Sequence, residues 1–439
     1  MERTADETNG KNYKWVALAL LWVAFFLQQG TRQIYSGTNS FIRDGLGLSN
    51  EQIGLIGTVF MFVYGICVPF AGLAADLFRR KWMVAIGVLV FCGGIFCSGF
   101  AASFLSLLVF YSILNGLGQT FYYPSATSLI GQLHKESRAT ALSLLQLGLY
   151  LGIIGCTWAS GWMGELGADG WRTPFKLFGG IGIVWALALV FLLKDTKPVA
   201  APGATGKPGI GETVGAIVKK PSAILLAIGL GMFIYVDGGF KTWMPDYLRS
   251  EAFAADFRWL DAHVPWLRGA PALFAVLWHY LGAIVGVMVG SRISDRFAKV
   301  RPGIRMEVNI AGLVLGIPFI LLMARAQSLA ACCVGMCLFG VFRGVYDSNL
   351  LASLFDVIKP RFHATAAGVM LCCGFVFGSS SSAVLGWMKG HFGLQAGFQS
   401  LALFYLVGAR VIHVARPCLL KKDDEGCRSS RSTSRPRAR

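Results

Sequence analysis

Charged side chains stand deep inside otherwise apolar stretches of the chain, among them Arg32, Asp237, Lys241, Arg343 and Asp347. An arginine, lysine or aspartate at the centre of a membrane-crossing helix costs on the order of 3 kcal/mol, so such groups mark functional sites unless something answers them. Asp237 and Lys241 are four residues apart, as are Arg343 and Asp347, which puts each pair on one helix face where it can neutralise itself. Arg32 has no acidic neighbour in its own segment, so it must be answered by Asp237 or Asp347 across a cavity, or by an anion brought from outside. A guanidinium presents a planar fork of donors that fits a carboxylate or phosphate. The chemistry these residues suit is reversible capture of a small organic anion. A carboxylate beside a cation can also trade its salt bridge for a proton when the substrate takes that cation, which makes Asp237 and Asp347 candidate proton carriers.

Other chemistries find no support in the spacing. No nucleophile–base pair lies within the apolar segments, no Cys/His spacing resembles a metal site, and no GxxxxGK[ST] occurs, so neither an enzyme, a metal or cofactor, nor an ATP-driven pump is expected. The cysteines read as small hydrophobes.

The elements that position these groups follow from composition. Of 439 residues, 55% are hydrophobic and 14% charged, and the mean hydropathy is +0.58, which describes an all-α polytopic membrane protein rather than a soluble one. Twelve segments are long and apolar enough to cross a bilayer as helices. Most Lys and Arg fall in alternate loops and in the basic tail, which places both termini in the cytoplasm and ties the net charge of +17 to a membrane surface rather than to nucleic acid. No cleavable leader is expected.

The twelve segments divide into two sets of six. The second ends in GLAADLFRRK (Gly72–Lys81) and the eighth in GSRISDRFAKVR (Gly290–Arg301), while SRATA after the fourth is echoed by FHATA after the tenth. Between the halves lies a stretch rich in Gly, Pro, Ala and Lys. The expected organisation is a tail at 1–14, a six-helix bundle at 15–193, a cytoplasmic linker at 194–221, a second bundle at 222–415 and a basic tail at 416–439. Parallel repeats of this kind place a substrate site near mid-membrane, between halves that rock.

These motifs, with NGLGQTFYYPSATSLI in the fourth segment, GWRTPF before the sixth and FIYVDGGFKTWMPDYL in the seventh, resemble the major facilitator superfamily over essentially the whole chain. Within it the sequence is most similar to two groups: the organophosphate antiporters, and the anion:cation symporters of hexuronate, galactonate and sialic-acid type. The resemblance implies the major facilitator fold, a cavity lined by the first, fourth, seventh and tenth segments, and alternating access by a protein acting as a monomer. It departs where the phosphate carriers have a second arginine, since Asp237 stands there, and where many members have an arginine ahead of GxG, since Ser112 stands there.

Polar residues concentrate on those four segments, which gives Arg32 as the main substrate ligand and Lys241 and Arg343 as secondary cationic contacts. Gln29, Tyr35, Asn115, Gln119, Tyr122, Tyr346 and Asn349 are candidate recognition groups. Asp76, Arg80, Asp295 and Arg296 are candidate conformational latches at the cytoplasmic rim. His279, in the eighth segment, is expected to be a satisfied interhelical donor, and residues 249–269 to form an interfacial helix or partial lid. The expected activity is proton-coupled transport of a sugar acid or sugar phosphate across the inner or plasma membrane, with proton or counter-anion as co-substrate. The alternatives are a neutral-sugar or nucleoside symporter and an anion exchanger.

Overall fold

The computed structural model describes residues 2–134, 137–194, 211–212, 215, 220–298, 303–358 and 363–433, although the side chains of 2–12, 73, 75–77 (Asp76 among them), 139, 364 and those beyond 415 lie outside the description. The expected linker falls largely outside it, and of the expected basic tail the backbone is described to Thr433, as a continuation of the last helix. Within the described residues the chain is helical: α1 (Glu2–Leu46), α2 (Asn50–Leu77), α3 (Arg80–Ser98), α4 (Phe104–Leu133), α5 (Arg138–Gly164), α6 (Arg172–Leu192), α7 (Pro221–Leu248), α8 (Glu251–His263), α9 (Ala270–Ala298), α10 (Ile304–Arg325), α11 (Leu329–Val357), α12 (His363–Gly378, continuing as Ser380–His391) and α13 (Gly393–Thr433). The short α8 lies in the stretch expected to form an interfacial helix or partial lid; the seventh expected segment is α7 and the tenth is α11.

Local chemistry sets the ends. Ser49 and Gln52 form a reciprocal capping box at the start of α2, Ser103 and Ser106 do the same before α4, and Pro221 opens α7 where its missing N–H costs nothing. Eleven helices are apolar enough to cross a membrane by length and composition. The polar run around Gln28, Gln29 and Arg32 keeps α1 below that threshold, although it packs as the twelfth member of the bundle. Residues Leu108–Asn115 of α4 wind as a π-helix, a local loosening that recurs at functional sites.

The halves meet through α2 against α12 and α5 against α9, with α1 touching α7. These are the second and eleventh segments and the fifth and eighth, which exchange under a six-segment repeat. Glycines bring α9 and α11 almost backbone to backbone. A Cβ on Gly282 would lie 1.9 Å from the Cys337 carbonyl oxygen, and one on Gly340 would lie 2.1 Å from the His279 carbonyl oxygen. The α9–α11 contact therefore holds His279 and Arg343 in one layer beneath α7.

Candidate functional site between the two halves

A cavity of about 240 Å³ lies between α1, α2, α4 and α5 on one side and α7, α9, α11 and α12 on the other. Its wall includes Gln29, Arg32, Tyr35, Asp237, Lys241, Arg343 and Asp347, so all five intramembrane charges singled out by spacing converge here. Asn115, Gln119, Tyr122, Tyr346 and Asn349 lie outside this wall. Gln28 donates to the Gln119 carbonyl at 2.7 Å and Gln119 to Asn115 Oδ1 at 2.8 Å, a ladder that ties α1 to α4. Tyr122 donates to the Leu21 carbonyl and stacks on Phe25. Tyr346 stacks on Phe233 at 4.5 Å, and Asn349 donates to Ser348 Oγ at 2.8 Å. Helical spacing gives the stripe on which these side chains lie but not whether a neighbouring helix takes their polar atoms first.

The second half of the site is a four-charge network. Lys241 Nζ is 2.7 Å from Asp237 Oδ2 and Arg343 Nη1 is 3.3 Å from Asp347 Oδ2, the two same-helix pairs that the spacing predicts. Arg343 Nε also donates to Asp237 Oδ1 at 2.9 Å, which ties α11 to α7. Asp237 is thus a hub between two cations. Asp347 holds one, and its side chain is 36% accessible against 13% for Asp237, so Asp347 is the more solvated carboxylate.

Arg32 sits differently from expectation. Its guanidinium forms no ion pair with Asp237 or Asp347, whose partners are Lys241 and Arg343. It lies instead over the rings of Tyr64, at 4.6 Å, and Phe60, at 5.2 Å. Tyr111 donates to the Arg32 carbonyl at 3.0 Å and stacks on Tyr35, whose own hydroxyl is spent on the Ile53 carbonyl at 2.6 Å. Cation–π contact contributes about 1 kcal/mol and leaves the N–H donors unused. The cavity wall therefore carries three cations and two carboxylates, with the unmatched positive charge on Arg32.

His279 is also a correction. It is fully buried, yet neither ring nitrogen has a hydrogen-bond partner, and Nε2 lies 3.8 Å from Asp237 Oδ1.

At the end of the bundle away from the chain termini the halves are tied together. Asn39 donates to the Thr242 carbonyl at 2.7 Å, Thr58 to the Ser379 carbonyl at 2.8 Å, and Arg249 to the Gly37 carbonyl at 3.0 Å. Asp246, buried on α7, stands 3.6 Å from Arg43 Nη1 and also binds Lys389. Trp158 on α5 donates to the Arg268 carbonyl beyond α8 at 3.0 Å. These ties between the halves gather at this one end. Of the expected latches at the opposite end, Arg80 is buried with Nε and Nη1 unpartnered, while Asp295 and Arg296 are exposed and form no ion pair among the described residues. Reading the sequence missed the closed layer, because Asp246 and Lys389 lie near segment ends, where charge is ordinary.

A family model described as the Major Facilitator Superfamily matches residues 21–278, more than half of the chain. This chain belongs to the major facilitator superfamily. Protein spinster homolog 1 of Xenopus tropicalis is 24% identical over 379 residues, covering 83% of this chain and 71% of that protein. Protein spinster homolog 3 of Homo sapiens is 24% identical over 425 residues, covering 92% and 82%. Among solved structures, a bacterial homolog to the human lysosomal transporter Spinster, inward-facing and unoccupied, has a TM-score of 0.79 at 19% identity, with 93% and 98% coverage. The nucleoside transporter NupG has a TM-score of 0.69 at 16% identity, with 91% and 98% coverage. The fold is the two-bundle major facilitator fold. The protein is an integral membrane transporter and not an enzyme, and its substrate is a small molecule.

Proposed function

We propose that this major facilitator protein moves a small organic anion, of the sugar-acid or sugar-phosphate class, by proton-coupled alternating access, with both termini cytoplasmic and the closed layer facing outward. The observation that carries this reading is Arg32: a cavity guanidinium held only by aromatic faces, opposite a network in which Lys241 and Arg343 already have carboxylate partners. An incoming carboxylate restores neutrality to the cavity and occupies donors that nothing else uses. Gln29 and Tyr35 adjoin Arg32 on the wall, and Lys241 and Arg343 reach the anion from the other half. A cavity of about 240 Å³ falls below the roughly 300–1,000 Å³ typical of drug-sized ligands, which suits a small substrate. The likeness to hexuronate, galactonate and organophosphate carriers agrees with a substrate-facing arginine, while Asp237 in place of a second arginine favours carboxylate over phosphate. The spinster relatives support transport in general rather than this substrate class.

The proton enters through the cluster around Asp237 and Asp347. When substrate engages Arg343, the carboxylates lose a counter-ion, so proton and anion are taken up together. Asp76, Arg80, Asp295 and Arg296 would engage at the cytoplasmic rim once the outer layer parts.

Uptake by purified protein in liposomes tests the reading. Glucuronate and gluconate should accumulate when the exterior is acidic, and glucose should not. Accumulation of glucose or of a nucleoside, with no acid transported, would favour the neutral-solute alternative, which rests on the pairing of both second-half cations. Exchange of internal for external acid with no response to the pH gradient would favour the antiporter.

A further inference from the structure

We infer that His279 is where the coupling proton resides, an assignment that rests on the proton-coupled anion reading and locates its proton. A buried polar group without a partner costs about 1–3 kcal/mol and calls for an explanation, and both ring nitrogens of the fully buried His279 are unpartnered. The ring is boxed by Phe240 of α7 at 4.7 Å, by Phe339 of α11 at 5.3 Å and by its neighbour Tyr280 at 5.3 Å. Backbone packing against Gly340 leaves little room for α9 to shift there. The polar direction left to the imidazole is toward Asp237, with Nε2 at 3.8 Å from Oδ1.

The charged and titratable groups around it define two states. From α7 it faces Asp237 and Lys241, from α11 Arg343, and on its own helix Tyr280; Tyr405 of α13 and Asp347 stand behind the Arg343 guanidinium. In the empty cavity the two cations saturate Asp237, so a charged imidazolium would meet Lys241 and Arg343 with no carboxylate to spare. The imidazole then stays neutral and unbonded. When an anion draws Arg343 away from Asp237, Oδ1 is freed beside Nε2. A proton delivered from hydronium on the acidic side and bound at Nε2 then forms an imidazolium–carboxylate pair, and on release of the anion Arg343 returns to Asp237 and the proton passes back to solvent. By linkage, proton binding and anion binding strengthen each other by the same factor. Asp237 is the counter-ion in this scheme, and the imidazole, of all side chains the one whose unperturbed titration falls nearest neutral pH, holds the proton.

The test compares wild type with His279→Gln, whose amide has similar bulk but takes up no proton, using glucuronate and gluconate as probes in liposomes. Wild type should accumulate one of them under an inward pH gradient and bind it at least tenfold tighter at pH 5.5 than at pH 7.5. His279→Gln should keep exchange of internal for external substrate but lose gradient-driven accumulation and the pH dependence of affinity. A purely structural histidine would instead reduce exchange and accumulation alike. An unchanged pH profile in His279→Gln overturns this assignment while leaving the anion reading intact. Failure of wild type to bind or move either acid overturns the anion reading itself. Should His279→Gln not reach the membrane, His279→Asn serves as the second variant. Independently, wild type must take up about one proton per acid bound, and no uptake overturns the proposal.

Discussion

Arg32→Ala is expected to abolish uptake of sugar acids while the protein still inserts and folds. Each hydrogen bond from a charged donor to a carboxylate contributes about 1.5–3 kcal/mol, so losing a two-pronged contact should lower affinity by at least about a hundredfold. The structural cost is small, because Arg32 holds no carboxylate and the mutation forfeits only its contacts over Tyr64 and Phe60, about 1 kcal/mol. Arg32→Lys keeps the charge but loses the fork, and should retain weak binding with transport reduced roughly tenfold or more. Uptake per molecule of membrane-inserted protein, measured for both variants, checks this. Wild-type transport by Arg32→Ala contradicts it.

The second large effect is expected at Asp246. This buried carboxylate joins Arg43 of α1 to Lys389 of α12, and the Arg249 side chain beside it reaches back to Gly37. Removing one partner from a buried charge pair typically costs about 3–5 kcal/mol, because the surviving charges are left uncompensated. Here that cost falls on one conformation, the one in which the layer away from the chain termini is shut. Asp246→Ala should therefore shift the population toward the form open at that end by two or more orders of magnitude, since each 1.4 kcal/mol is a factor of ten. Hydrogen exchange of the backbone around 37–46 and 242–250 reads this directly, and should accelerate in the variant. Unchanged exchange there, with intact folding, would show that the hydrogen bonds of Asn39 and Thr58 hold the layer without help from Asp246.

The fold was legible in the chain because its signals are long and repeated. Apolar segments of membrane-crossing length, a six-segment echo from Gly72–Lys81 to Gly290–Arg301, and basic loops all agree with one architecture. The core of the site was legible for a different reason: charge inside an apolar helix is rare enough that Arg32, Asp237, Lys241, Arg343 and Asp347 stood out, and four-residue spacing gave two of the ion pairs. What spacing could not supply was partnership across helices. The Arg343–Asp237 bond between α11 and α7, the aromatic seat of Arg32, and the withdrawal of Tyr122 and Asn349 into hydrogen bonds away from the cavity wall all depend on which helices meet. His279 lies on a helix outside the expected lining. It reaches the site only because glycines on α9 and α11 draw the backbones together, a consequence visible once the helices are placed.

The most direct measurement of the central claim is ligand-induced thermal stabilisation of the purified protein, since a ligand that binds the folded state stabilises it by mass action, by about 2.7 kcal/mol at a hundredfold excess over Kd. Glucuronate or gluconate should raise the melting temperature of wild type, glucose should leave it unchanged, and Arg32→Ala should show no response to the acids. An equal shift by the acids in Arg32→Ala, or a shift by glucose alone in wild type, would contradict the account of Arg32 as the anchor of an anionic substrate.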